Sequence, residues 1–192
     1  MKKDLNNISI RTKKLFIRNF TENDFKDLFE YLSDKETYIF EPGEPITIET
    51  AKSLCNERSK NNKFLAVQLK NKVIGHIYFD QIKPKKLLTW EVGFIFNKKY
   101  QGKGYATESL MAIIKYGFKY KNLHKIIAHC SPKNVSSWKL LERVGMRREG
   151  KLRKNIYFNK DKKGNPIWLD TYEYGLLKDD IKINYNRKKP IV

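Results

Sequence analysis

Residues 89–110, TWEVGFIFNKKYQGKGYATESL, constrain the fold more than any other stretch. The apolar run over 87–96 reads as a long, buried central strand. A polar loop follows over 97–103, with glycines at 102 and 104. A helix is predicted over 106–120, with Leu110, Ile113, Ile114 and Gly117 facing inward. Glycines in such a loop let the backbone approach a ligand closely. The first N–H groups of the helix have no intrahelical partner and carry partial positive charge. Strand, glycine loop and helix N-terminus together make an anion cradle, most often filled by phosphate. Lys98, Lys99 and Lys103 add charge around it. The plainer reading of Gly102 and Gly104 is an ordinary strand-to-helix turn.

On either side the pattern differs. Before the loop, a strand is predicted over 15–20. A helix capped by Thr21, with Asp24 in a box-like position, comes next. Glu41–Pro45 breaks the chain, and Thr47 caps a second helix over 48–60. Strands over 64–69 and 73–80, joined by Asn71-Lys72, read as a hairpin. With the central strand they form an antiparallel meander. After the loop come a strand over 126–130, a helix over 135–144 stopped at Gly145, and two long strands, 146–157 and 167–177. This order predicts an α+β single domain on a mixed sheet. It would span 1–192, with a core of about 15–177 and a basic tail, 178–192.

Composition narrows the function classes. At 192 residues, 40% of them hydrophobic, the chain can fill one core. No run approaches the ~18–20 apolar residues of a membrane span, and the first residues lack the apolar stretch of a secretory leader. Two cysteines, Cys55 and Cys130, cannot make a disulfide framework, so a reducing cytoplasm is expected. The net charge of +19 favours polyanions, phosphates and acidic surfaces without choosing among them.

For the phosphate ligand, a GxxxxGKS/T loop is absent, and the GxGxxG fingerprint lacks its third glycine. Gln101-Gly102-Lys103-Gly104-Tyr105-Ala106 instead fits Q/R-x-x-G-x-G/A. This resembles the acyl-CoA pyrophosphate loop of the GNAT N-acetyltransferases. RNFTENDFKDLFEYLSD, AVQLKNKVIGHIYF, NLHKIIAHCSPKNVSSWKLLERVGMRREG and DTYEYGLL occur in that family's order, so the resemblance covers about residues 15–177. It is closest to the RimJ/RimL-type branch, which acetylates N-termini of ribosomal proteins. The resemblance implies a mixed, mostly antiparallel sheet of about seven strands flanked by helices and splayed in the middle to hold acyl-CoA.

Acetyl transfer from a thioester to an amine needs a held cofactor, a neutral amine, donors for the oxyanion and a route for the thiolate. The backbone N–H groups of Gly102, Lys103, Gly104, Tyr105, Ala106 and Thr107, with Gln101 at the entrance, are expected at the pyrophosphate. By resemblance, the main chain of Phe94, Ile95 and Phe96 pairs with the pantetheine arm. Glu91 is the candidate base, since a carboxylate within an apolar strand is costly unless paired or useful. The alternative is a bridge to an Arg or Lys on the next strand. Asn134 and Ser137 match the branch's N-x-x-S, which implies Asn134 at the pantetheine and Ser137 near the sulfur as a catalytic residue. Asn134 also reads as a plain N-cap. Where many relatives carry a general-acid Tyr, this chain has Leu141. His76, His124 and His129 are too scattered for a metal or a triad, so no metal is expected, and His129 is read as packing.

The acceptor site is expected from Tyr38, Phe40 and Glu41 after the first helix and from Tyr157 and Asp170 on the closing hairpin. Aromatics and acids suit a cationic amine. The expected function is acetyl-CoA-dependent N-acetylation of a primary amine, foremost a protein or peptide N-terminal α-amine, by direct attack in a ternary complex. Two alternatives stay open. One is a small-molecule amine: an amino acid, polyamine or antibiotic. The other is a basic RNA- or ribosome-binding module with little catalysis, suggested by the basic run over 147–163. Expected partners are acetyl-CoA, the amine substrate and the ribosome as a candidate, with no membrane; monomer and homodimer are both open.

Overall fold

A computed structural model describes residues 8–181. The expected tail is described only as a helical turn over 178–181; the rest of it lies outside the described residues. The chain divides into two compact units. One holds the residues up to Asp80 with Val92–Ile113, the other Gln81–Glu91 with the residues from Ile114 onward.

The first unit contains β1 (Ser9–Arg11), β2 (Leu15–Asn19), α1 (Phe25–Leu32), α2 (Ile48–Ser59), β3 (Phe64–Leu69) and β4 (Lys72–Gln81). It also takes the later part of β5 (Thr89–Phe96) and the start of α3 (Tyr105–Tyr120). The strands are ordered β1-β2-β3-β4-β5, and the β1–β2, β2–β3 and β3–β4 ladders are antiparallel. In β2, Leu15 and Ile17 are buried and alternate with half-exposed Phe16 and Arg18, the period of a one-sided strand. β4 is buried along Val73–Ile77, as a central strand requires. Gly75 lies there for a steric reason: a Cβ would stand 2.6 Å from the Ile95 carbonyl oxygen and 2.7 Å from the Phe96 ring.

α1 is entered through a short 3-10 turn, Glu22–Asp24, and the predicted box closes there: Thr21 N–H donates to Asp24 at 2.7 Å. Asp24 is also gripped by both Arg18 Nη atoms, at 2.7 and 2.8 Å. Leu28, Tyr31 and Leu32 of α1 pack with Cys55 of α2 and with Phe20, Ala66 and Val73. Cys55 is wholly buried. The buried His76 bonds the Tyr31 hydroxyl at 2.8 Å, and burial holds its imidazole well below its ordinary pKa.

The second unit contains the start of β5, β6 (Lys125–Cys130), α4 (Val135–Arg143), β7 (Arg147–Lys160) and β8 (Pro166–Leu177). Its strand order is β5-β6-β8-β7. β5 and β6 run parallel, Thr89–Glu91 against Lys125–Ile127, and that ladder ends well before β5 ends at Phe96. β6–β8 and β7–β8 are antiparallel. Among the described residues the sheet thus has eight strands, mixed and mostly antiparallel; the strand beyond the expected seven is the three-residue β1.

Two expectations are corrected here. The central strand begins at Thr89, not at 87, because Lys85–Leu87 is a 3-10 turn that Leu88 ends in a left-handed conformation. The Leu88 carbonyl then accepts the His124 N–H at 2.9 Å. The first hairpin turns at Lys70-Asn71, with Lys70 at a φ of +53°; Asn71 is in the turn as expected, but Lys72 is already in β4.

Candidate active site

In the first unit, β5 delivers the chain to a short turn, Lys98–Tyr100, and then to Gln101–Gly104. Buried Asn97 shapes the exit: its N–H donates to the Ile74 carbonyl at 2.9 Å, and its side chain accepts from Lys99 N–H at 3.0 Å. Gln101 reaches back to the Phe96 carbonyl at 3.0 Å, tying the loop to the strand end. Gly102 and Gly104 have φ of +73° and +81°, a region an L side chain rarely adopts. A Cβ built at either would meet nothing within 4 Å, so both face open space. A bond from Glu108 N–H to the Gly104 carbonyl, 3.0 Å, closes the loop into α3. The amides of Tyr105 and Ala106 precede it, where an α-helix offers no internal acceptor. Glycines at positive φ followed by leading helical amides make a concave, positively polarised main-chain surface. That arrangement fits a diphosphate.

The lysines around it behave differently from expectation. Lys98 is paired with Glu36, and Lys99 Nζ lies 2.9 Å from Glu30. Glu30 also holds Lys72 at 2.6 Å and accepts from Asn97 at 3.2 Å. The Lys72 and Lys99 hydrogen bonds pull its carboxyl down to about 2. Lys103 Nζ donates to the Lys99 carbonyl at 2.9 Å and lies over the Tyr100 ring. Lys98 and Lys99 therefore have carboxylate counter-ions, and the full side-chain charge within the loop itself is that of Lys103 beside the main-chain dipoles.

In the second unit, Glu91 is half-exposed on β5, and its partner is neither Arg nor Lys. Glu91 Oε1 lies 3.1 Å from His129 Nδ1. His129 Nε2 in turn lies 3.2 Å from Glu173 Oε2. The hydrogen bond with Glu91 raises the His129 pKa above its ordinary value; burial opposes, and Glu173 reinforces. The expectation that His129 packs is overturned, because it points away from the buried face carrying Ile126, Ala128 and Cys130. Alternation along 126–130 carried that signal, since an apolar every-other pattern leaves His129 on the open face.

Asn134 is the N-cap of α4: its side chain accepts from Ser137 N–H at 3.1 Å and from Ser136 Oγ at 2.9 Å. Asn134→Ala should therefore cost about 0.5–2 kcal/mol of stability, read by thermal or urea unfolding. Leu141 is fully buried.

The residues named for the acceptor are placed as follows. In the first unit, Tyr38, Phe40 and Glu41 share the segment after α1. The Tyr38 hydroxyl donates to the Leu32 carbonyl at 2.9 Å, so it anchors that segment. Burial pushes the Glu41 carboxyl up to about 7. In the second unit, Tyr157 stacks edge-on against Trp168 with ring centroids 5.3 Å apart, both exposed. Asp170 accepts from Lys154 N–H and Lys151 Nζ, each at 2.9 Å, and the Lys151 bond lowers its pKa. Lys154 has a left-handed φ of +47°, so Asp170 secures an irregular point in β7.

The acetyltransferase (GNAT) domain model matches residues 14–147, well over half of the chain. The chain belongs to the GNAT acetyltransferases. As a GNAT N-acetyltransferase it uses acetyl-CoA as acyl donor, and the glycine loop and helix start fit the donor's diphosphate. The uncharacterized N-acetyltransferase YnaD of Bacillus subtilis (strain 168) is 40% identical over 174 residues, covering 89% of this chain and 98% of that protein. The [ribosomal protein uS5]-alanine N-acetyltransferase of Escherichia coli (strain K12) is 26% identical over 156 residues, covering 74% of this chain and 80% of the relative. The crystal structure of a GNAT-family acetyltransferase from Bacillus anthracis matches with a TM-score of 0.82 and 37% identity, covering 90% and 99% of the two chains. Among the described residues of this GNAT chain, no group of His, Cys, Asp and Glu is arranged to hold a metal ion, and no helix is long and apolar enough to cross a membrane.

Proposed function

We propose that this acetyltransferase modifies a protein or peptide N-terminal α-amine by direct attack in a ternary complex. The observation that carries the choice of acceptor is the similarity, over three quarters of the chain, to the uS5-alanine N-acetyltransferase. The main-chain N–H groups of Gly102, Lys103, Gly104, Tyr105, Ala106 and Thr107, with Gln101 at the entrance, hold the diphosphate. The main chain of Phe94–Phe96 orients the pantetheine arm and offers a donor to the oxyanion. When bound, acetyl-CoA supplies a thioester carbonyl open to attack. Glu91 receives the amine proton. Asn134 and Ser137 orient the arm near its sulfur, and Ser137 can return a proton to the thiolate; Leu141 cannot.

An α-amine with a pKa of ~8 is partly neutral near that pH, so the base contributes a moderate factor. Glu91→Gln should lower kcat by about 10²-fold, the low end of the range for a positioned general base, while the KM for acetyl-CoA stays within about twofold. A wild-type kcat would remove Glu91 from the chemistry. Ser137→Ala should cost only several-fold in kcat, since a CoA thiolate leaves tolerably well unprotonated.

The acceptor is tested by thiol release from acetyl-CoA against N-terminal alanine peptides, polyamines, amino acids and aminoglycosides. Peptide turnover at least tenfold above the small amines supports the proposal; the reverse order selects the small-molecule reading. Three of the eight basic residues in the run over 147–163 are in ion pairs: Arg147 with Asp180, Arg148 with Glu142 and Lys151 with Asp170. The structural units belong, on this proposal, to one catalytic domain.

A further inference from the structure

Glu91, His129 and Glu173 stand on three successive strands of the second unit, β5, β6 and β8. The imidazole bridges the two carboxylates at 3.1 and 3.2 Å. His129 and Glu173 are direct partners in the antiparallel ladder. Glu91 pairs with Ile127, the preceding residue on the same face of β6. The three side chains are 32–35% exposed, so the cluster reaches water. The ionisable groups bearing most on the imidazole are these two carboxylates, one from each flanking strand.

A lone glutamate is poorly matched to an amine, since its ordinary pKa of ~4.3 lies well below the ~8 of an α-amine. Proton transfer is most effective when the acceptor titrates near the working pH. An imidazole between two carboxylates comes much nearer to that condition.

We propose that the proton taken from the amine is stored on His129, with Glu91 passing it inward and Glu173 holding the imidazole in place. The proposal rests on the reading of Glu91 as base. In the neutral ring, Nε2–H donates to Glu173, which leaves the Nδ1 lone pair turned toward the Glu91 carboxylate and open to a proton. As the nitrogen–carbon bond forms, the amine proton moves to the Glu91 carboxylate, and the Glu91 proton moves to Nδ1. Glu91 is left as carboxylate and His129 as an imidazolium donating to both acids. The carbon–sulfur bond breaks with its electron pair on the thiolate, and the imidazolium then returns its proton to water. His129 and Glu173 are positioning residues that act through Glu91.

The sign follows from the raised His129 pKa. Above it the ring is free to accept; below it the ring is occupied, and kcat falls. Glu173→Gln removes one stabilising carboxylate and lowers that pKa. The test pairs two readouts on the full chain. One is the His129 imidazole titration by NMR. The other is kcat against pH, at saturating acetyl-CoA and the amine that turned over fastest in the panel. The expected result is a wild-type NMR midpoint above 6.5 that drops in Glu173→Gln, with the acid limb of kcat moving down by the same amount. A midpoint that does not move, or one that moves while the limb stays, overturns the proposal. His129→Gln, a second variant should Glu173→Gln fail to fold, is expected to abolish the limb; a retained limb overturns the proposal. Glu91→Gln separates the two readings. Lost turnover there with an unmoved Glu173→Gln limb leaves Glu91 as base and removes the relay, whereas full turnover removes both.

Discussion

Gly104→Glu is expected to abolish measurable coenzyme A binding, a loss on the order of 100-fold or more in Kd, about 2.7 kcal/mol or greater. Two effects act together. Residue 104 has φ +81°, so any Cβ strains the loop by ~1–2 kcal/mol. A carboxylate would also stand in the open space that the loop amides face, where it competes with the diphosphate for the same donors. Gly104→Ala separates the terms: its methyl meets nothing within 4 Å, so it carries the strain without the charge. Isothermal titration with coenzyme A should show Ala intermediate between wild type and Glu. Unchanged affinity in Gly104→Glu would refute the phosphate assignment. A thermal unfolding trace of each variant distinguishes lost binding from lost folding.

Arg18→Met is expected to destabilise the protein by about 3 kcal/mol, roughly 6–12 °C in Tm for a chain of this size. Methionine replaces the stem of Arg18 but leaves Asp24, whose side chain is only 8% exposed, without its bidentate partner. Burial works against the Asp24 carboxylate in the native protein, yet the hydrogen bonds from Arg18 and Thr21 prevail and hold its pKa below the ordinary value. A depressed carboxyl contributes stability that is complete above its unfolded pKa of ~3.9 and is lost as pH falls through its folded value. In the variant the stranded carboxylate takes up a proton more readily, so the gap from wild type should narrow below pH ~4. Thermal unfolding at pH 7 and near pH 3 checks both points; an equal gap at the two pH values would show that the loss is one of packing.

Where a residue's local pattern and its tertiary surroundings agree, the sequence was a sufficient guide. Leu110, Ile113 and Ile114 are buried as helical spacing requires, and Gly102 and Gly104 sit at the turn their freedom suits. It misled where a long-range partner overrode the local pattern. Leu87 and Leu88 read as strand because they are apolar, yet both are exposed, and Leu88 is left-handed so that its carbonyl can take an amide from His124. β1 is three residues long, too short to show a period, and is secured by pairing with β2. Glu91, His129 and Glu173 are separated along the chain, and only the strand order β5-β6-β8 makes them neighbours. A sequence read without pairing has no means of joining them.

The ion pairs beside the glycine loop have a chemical corollary. Of the primary amines there, Lys98 and Lys99 have Glu36 and Glu30 as counter-ions, while Lys103 donates to the Lys99 carbonyl. A lysine ammonium engaged as a hydrogen-bond donor has no lone pair to offer a thioester. On the proposed reading, an enzyme whose trade is acylating amines thereby keeps the side chains beside its donor engaged elsewhere, and leaves the grip on that donor to peptide groups that neither ionise nor react.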